Sequence, residues 1–231
     1  MPITVVNTNS SLNYHVDIVM CIDATGSMAP VINEVKENAK TFYGQFVAAM
    51  EEKEKKVQQL RIKVIVFRDY GVDSQPMVES KFFVLGDDQG NETDEFYSFV
   101  DAIEATGGGD IPEHSLEALA LAIKSDWVKT GNVRRHVIMM FTDANAVELG
   151  ASKDLPGYPA GMPNSFAELG ELWEAQEMEL RAKRLLLFTP DCEPWTNMID
   201  WNNTFHSASR AGAGLSDIEM KTCIHMLVNS I

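Results

Sequence analysis

The sequence predicts an α/β fold: a doubly wound, mostly parallel central sheet with one antiparallel edge strand and helices on both faces. Three observations predict it. Short runs of nearly unbroken apolar residues, such as 16–22 and 185–188, read as strands buried on both faces. Longer segments with apolar residues at every third or fourth position alternate with them. The chain has 231 residues, 45% of them apolar, which is enough to fill the core of one large domain. Alternating strands and helices specify a mostly parallel sheet, in which ligands bind outside the carboxyl ends of the strands.

The elements follow in order. Residues 1–13 are polar and rich in Asn and Ser, a flexible leader or short edge element before a domain spanning 14–231. Residues 16–22 form a central strand. A polar turn, Asp23-Ala-Thr-Gly-Ser27, leads into a long helix whose stripe is Val31, Val35, Ala39, Phe42, Phe46 and Met50. Pro30 is tolerated there because it falls in the first turn. Residues 60–67 are the second strand. Residues 78–85 are the third, and the connection before it is too short for a crossover helix, so it pairs antiparallel at an edge. A helix is expected over 93–105 with Thr93 as its cap. A Gly-rich loop, Gly107-Gly-Gly-Asp-Ile-Pro112, enters a helix over 113–125. A buried strand over 135–141 ends at Thr142-Asp143. A Pro/Gly-rich loop precedes a helix over 165–182, then a strand over 185–188. Residues 194–210 read as a short helix with a final short strand, and 216–230 as a closing amphipathic helix capped by Ser216 or Asp217.

Composition narrows the function. Nineteen basic against 34 acidic side chains leave a net charge of −15. Nucleic acid and anionic membranes need a basic face, so neither is expected as a partner. No run approaches the ~18 consecutive apolar residues of a membrane-spanning helix. The start of the chain carries no basic, apolar signal-peptide pattern. Three widely spaced cysteines, Cys21, Cys192 and Cys223, do not form a disulfide framework, so a reducing, cytoplasmic setting is the default expectation.

Two aspartates carry the chemistry. Asp23 and Asp143 each leave the carboxyl end of a buried strand, so both fall on one edge of the sheet. A carboxylate there is desolvated unless paired or coordinated, and two side by side repel. A divalent cation between them removes both costs, and the hydroxyls of Thr25 and Ser27 add hard oxygens one turn away. Mg²⁺ suits such a set, with Mn²⁺ or Ca²⁺ as alternatives. The competing reading makes both aspartates helix N-caps.

Asp23-x-Thr25-x-Ser27, after an apolar strand and before a long helix, together with the distal Thr142-Asp143, resembles the D-x-S/T-x-S pattern of von Willebrand factor type A (VWA) domains. In that family the pattern is called the metal-ion-dependent adhesion site, MIDAS. The resemblance covers about residues 16–228. It implies that Asp23, Ser27 and Asp143 hold the metal, with Thr25 direct or through water. The middle loop departs from the integrin-type pattern, which has a Thr after glycine. Here the stretch is Thr106-Gly-Gly-Gly-Asp110-Ile-Pro-Glu113, similar to VWA domains of some alpha-kinases and of intracellular microbial proteins. Either Thr106 or Asp110 then serves the metal. Asp110 is favoured because three glycines let its backbone approach closely. A third carboxylate would leave the metal a weaker magnet for an acidic partner.

The resemblance implies a non-catalytic protein-interaction module in an intracellular signalling or stress system, engaging another protein through a carboxylate or similar oxygen. Similar stand-alone proteins look like partners of kinase, phosphatase or AAA+ ATPase systems. The alternatives are an Mg²⁺-dependent hydrolase or phosphoryl-transfer enzyme and an extracellular adhesive domain. Against the first, the sequence has no P-loop, no G-x-S-x-G and no His or Lys placed as an obvious base. The five histidines show no ligand spacing, and Arg68-Asp69-Tyr70 reads as a local ion pair holding its loop.

Overall fold

The computed structural model describes residues 12–86, 92–108 and 112–231. Its strands are β1 (Asn13–Asp23), β2 (Lys56–Phe67), β3 (Met77–Glu79), β4 (Phe83–Leu85), β5 (Val133–Phe141), β6 (Lys183–Pro190) and β7 (Thr204–Ser209). Its helices are α1 (Ala29–Glu51), α2 (Thr93–Asp101), α3 (Ser115–Ile123), α4 (Phe166–Glu174), α5 (Trp195–Met198) and α6 (Met220–Ser230), with a 3-10 turn, Gly26–Met28, before α1.

The sheet runs β3-β2-β1-β5-β6-β7, and β4 also pairs with β2. β1, β2, β5, β6 and β7 are mutually parallel. The strand order reverses at β1, because β2 lies on one side of it and β5 on the other. The C-terminal ends of β1 and β5 are therefore neighbours, with Ile22 opposite Phe141.

Each central strand is buried on both faces, as its unbroken apolar run requires. Alternate residues of β1 face opposite layers. Val16, Ile18, Met20 and Ile22 pack with the stripe of α1 and with α2 and α6. Val19 and Cys21 pack with α3, α4, α5 and Trp127. Burying both faces fixes the register, since a one-residue slip would exchange the two layers. Among the described residues, no helix is long and apolar enough to cross a membrane.

Several expected boundaries shift, each for a local reason. β1 opens at Asn13, inside the stretch expected as a leader, and residues 1–11 lie outside the described residues. The antiparallel edge strand is split in two. Ser80 interrupts it: its hydroxyl accepts from Val64 N at 2.9 Å, and its own N–H donates to Val64 O. The helix expected over 93–105 ends at Asp101, and Glu92 rather than Thr93 stands at its N-cap, bound by backbone and carboxylate to Val84. The helix expected from 113 begins at Ser115, because Glu113 bridges in parallel to Ala146. The helix expected to reach 182 stops at Glu174, where the buried Lys183 ammonium donates to Trp173 O at 2.6 Å in its last turn. The closing helix begins at Met220, after a turn in which Leu215 has φ 53°.

Candidate metal centre

The polar turn after β1 is ordered by Asp23. Its Oδ1 accepts from Thr25 N at 2.9 Å and from Thr25 Oγ1 at 2.6 Å, so the chain folds back on itself before the 3-10 turn. Its Oδ2 accepts from Thr142 Oγ1 at 2.7 Å, at the end of the neighbouring strand β5. Asp143 follows. Its Oδ1 accepts from Ser27 Oγ at 3.0 Å and its Oδ2 from Gly214 N at 2.7 Å. Two loops far apart in sequence are thus joined at the carboxyl edge of the sheet, beside the strand-order reversal.

These contacts bear on the N-cap reading of the aspartates. The 3-10 turn and α1 have no side-chain cap, and α4 is capped by Ser165. Asp23 and Asp143 instead hold hydroxyls and turn amides. Both are buried, as is Thr25, whereas Ser27 and Gly26 are exposed and form the open lip of the site.

Burial pushes the Asp23 carboxyl up to about 6; hydrogen bonds from Thr25 and Thr142 oppose the rise, and the charge of Asp143 adds to it. A carboxyl so placed gains from a nearby cation.

The middle loop is drawn to the same edge. Gly26 N donates to Gly107 O at 3.3 Å and Thr106 N to Ala24 O at 3.0 Å. A Cβ on Gly108 would lie 2.9 Å from Thr25 Cβ, and the glycine has φ +79°, so a side chain is barred there by both contact and conformation. Thr106 is exposed and held to the first loop by its backbone. Asp110, the favoured middle-loop ligand, lies outside the described residues.

Two groups at this edge were not foreseen from sequence. Thr142 orients Asp23 and also accepts from Ala144 N at 3.2 Å. Glu113 is 5% exposed, and its Oε2 has no hydrogen-bond partner among the described residues. Burial drives the Glu113 carboxyl well up, followed by the charge of Asp23, a hydrogen bond with Asp69, and the charges of Asp69 and Asp143. The signal for Thr142 was its adjacency to Asp143. For Glu113 it was the last position of the Gly-Gly-Gly-Asp-x-Pro-Glu stretch.

Beneath the edge, His114 clamps three loops. Its Nδ1 lies 3.1 Å from Asp69 Oδ1 and its Nε2 2.7 Å from Ser152 Oγ. This has the order of a hydrolytic Ser-His-Asp relay. All three side chains are nevertheless buried, and the Tyr70 N–H also donates toward Nδ1 at 3.3 Å, so the arrangement works as a clamp rather than an open nucleophile. The expected ion pair of Arg68 is replaced by backbone contacts: it donates to the carbonyls of Glu104, Thr106 and Gln75. Trp195 is core, and its indole N–H fixes Ala144 O at 2.9 Å beside the site.

The donors at the edge are all hard oxygens, the chemistry that suits Mg²⁺ or Mn²⁺. Among the described residues, no three His, Cys, Asp or Glu side chains are gathered closely enough to hold a metal by themselves. The hydroxyls of Thr25 and Ser27 beside two aspartates fit an ion that keeps several waters.

Comparison with known proteins agrees with the fold. A family model described as von Willebrand factor A domain matches residues 17–155. No curated protein sequence matches the chain. Among solved structures, the pilus adhesin SpaC of Lactobacillus rhamnosus GG is similar over 94% of this chain and 30% of that one, with 11% identity and a TM-score of 0.55. Proximal thread matrix protein 1 of the mussel byssus, solved with a zinc-occupied MIDAS motif, is similar over 93% of this chain and 46% of that one, with 11% identity and a TM-score of 0.50. This chain spans less than half of either, and at such identity the likeness is one of fold.

Proposed function

The chain belongs to the von Willebrand factor A domain family, and from that premise we propose that it is a metal-dependent protein-interaction module with Mg²⁺ as its ion. The ion is held by Asp23, Thr25, Ser27 and Asp143, with Asp110 as a fifth ligand from the middle loop. The observation that carries the reading is the meeting of Ser27 with Asp143 and of Thr25 and Thr142 with Asp23 at one edge of the sheet.

When bound, the cation would supply an electrophilic centre able to take a carboxylate or other oxygen from a partner protein. The residues of the chain do the rest. Thr142 and the Thr25 amide hold Asp23 in one rotamer, Gly214 N holds Asp143, and the exposed lip at Gly26 and Ser27 admits the partner. We place the protein in the cytoplasm as a non-catalytic partner in a multiprotein system, a reading supported by its three free cysteines, two of them buried.

The test is calorimetry with Mn²⁺ and Mg²⁺, followed by partner capture with and without chelator, using wild type and Asp23→Ala. Metal uptake and a chelator-sensitive partner, both lost in Asp23→Ala, are expected. No uptake at millimolar metal would sink the proposal. Metal-dependent phosphatase or ATPase turnover lost in Asp23→Ala would replace the non-catalytic reading with an enzymatic one.

A further inference from the structure

Resting on the metal-centre reading, we propose that Glu113 is a further carboxylate of that centre, serving the ion held at Asp23 and Asp143 from the side of the middle loop. The backbone sets its position. Glu113 N donates to Asn145 O at 3.0 Å, Val147 N donates to Glu113 O at 2.8 Å, and Glu113 bridges to Ala146, so the residue is stitched to the loop that leaves Asp143. The preceding loop is stitched to the other side of the site, through Gly26 N to Gly107 O and the packing of Gly108 on Thr25. Backbone contacts thus tie Gly107 to the turn after Asp23, and Glu113 to the loop after Asp143.

Its second oxygen meets no hydrogen-bond donor among the described residues. The carboxyl shares a hydrogen bond with Asp69, which is in turn held by His114. Oε2 is buried and unpartnered. The charges of Asp23, Asp69 and Asp143, all of its own sign, push its carboxyl up. A buried carboxylate oxygen among three like charges is strongly disfavoured. Internal hydrogen bonding has not satisfied it, whereas a dication beside Asp23 and Asp143 would. Among the described residues these carboxyls are not gathered closely enough to hold a metal by themselves, so hydroxyls and water would complete the shell of the ion.

The experiment uses the full chain, with Mn²⁺ as the probe, in wild type, Glu113→Gln, Glu113→Asp and Asp110→Asn. Glu113→Gln keeps the shape and can still donate to Asp69. Its melting temperature in chelator should match that of wild type, because the amide repeats the shape of the carboxyl and its bond to Asp69. Its Mn²⁺ affinity should fall about tenfold or more, within the range seen for groups that tune a metal site. A purely structural role predicts the opposite pattern: lower stability in chelator and unchanged affinity. Glu113→Gln binding Mn²⁺ within about twofold of wild type overturns the proposal, as does loss of affinity in Asp110→Asn alone. Should Glu113→Gln fail to fold, Glu113→Asp decides by the same affinity criterion. Wild type that takes up no Mn²⁺ refutes the metal centre itself and this proposal with it; wild type that binds alongside an unaffected Glu113→Gln refutes only this one.

Discussion

Ser27 Oγ donates to Asp143 Oδ1 at 3.0 Å across 116 residues of chain. This bond closes the carboxyl edge, because Ser27 belongs to the turn after β1 and Asp143 to the loop after β5. The sheet brings these strands side by side, and the bond places one exposed hydroxyl against one buried carboxylate.

Thr142→Val removes a hydroxyl and little volume. Asp23 Oδ2 loses the 2.7 Å bond that fixes its rotamer, and Ala144 N loses its acceptor. Stability should fall by about 1–3 kcal/mol. Mn²⁺ affinity should weaken about 10- to 100-fold, the range for lost support of a metal ligand. Denaturant unfolding and calorimetry measure the two effects, and unchanged affinity would show that Thr142 does not orient the site.

Gly214→Ala and Gly212→Ala form a matched pair. Both glycines lie in the left-handed region, at φ +60° and +67°, so each substitution carries a strain of about 1–2 kcal/mol. A Cβ at Gly212 meets nothing within 4 Å, whereas one at Gly214 would lie 2.1 Å from Ser27 O. Gly214→Ala should therefore move the backbone, break the 2.7 Å bond to Asp143 and abolish Mn²⁺ binding. Gly212→Ala should leave binding intact. Equal metal affinities in the two variants would refute this.

Arg61→Ala tests the opposite end of the sheet. Asp17 is fully buried and accepts from Arg61 Nε at 2.8 Å, Arg61 Nη2 at 2.5 Å and Val128 N at 2.6 Å. Removing the guanidinium leaves a buried charge with one amide partner, at a cost of about 3–5 kcal/mol. The midpoint of chemical unfolding should drop accordingly. Metal affinity of the folded fraction should be unchanged, since Asp17 lies on β1 well before the metal edge.

His136 sets an acid limit on stability. Burial lowers its pKa below the ordinary 6.5; the Val128 carbonyl, Asp17 and Glu179 oppose this, and Arg134 adds to it. Below pH 6.5 the unfolded chain takes up this proton while the folded chain resists it. The His136 contribution is complete above the unfolded pKa and declines as pH falls through the window down to the folded value. Urea unfolding from pH 7.5 to pH 5 should show wild type losing stability relative to His136→Gln, a difference in which the opposite contributions of Asp23 and Glu113, whose carboxyls burial pushes up, cancel. A slope unchanged in the variant would assign the acid sensitivity elsewhere.

Much of the scaffold was legible in the sequence because its strands are buried on both faces. The runs around Val16 and Leu185 have no amphipathic ambiguity, and the stripe from Val31 to Met50 admits only a helix. Boundaries were less legible where a distant partner sets them: Lys183 ends α4, Ser80 splits the edge strand, and the bridge from Glu113 to Ala146 delays α3. Asp23 and Asp143 could be named from their places at strand ends, since an aspartate leaving a buried strand must find a partner. Gly214 could not be read as part of the same edge, because it follows no strand, and Glu113 was legible only as the last residue of the middle-loop stretch, not as a buried carboxyl.

The sequence alone determined the parallel α/β architecture, its split into two apolar layers, and the two aspartates at its carboxyl edge. The reason is that periodicity and burial are local properties, written in each segment. Only the tertiary structure decided that Thr142 orients Asp23, that Gly214 holds Asp143, and that the Glu113 carboxyl lies buried among like charges. Those relationships depend on which loops the β1–β5 neighbourhood brings together, and hydrogen bonds between loops so far apart leave no period in the chain.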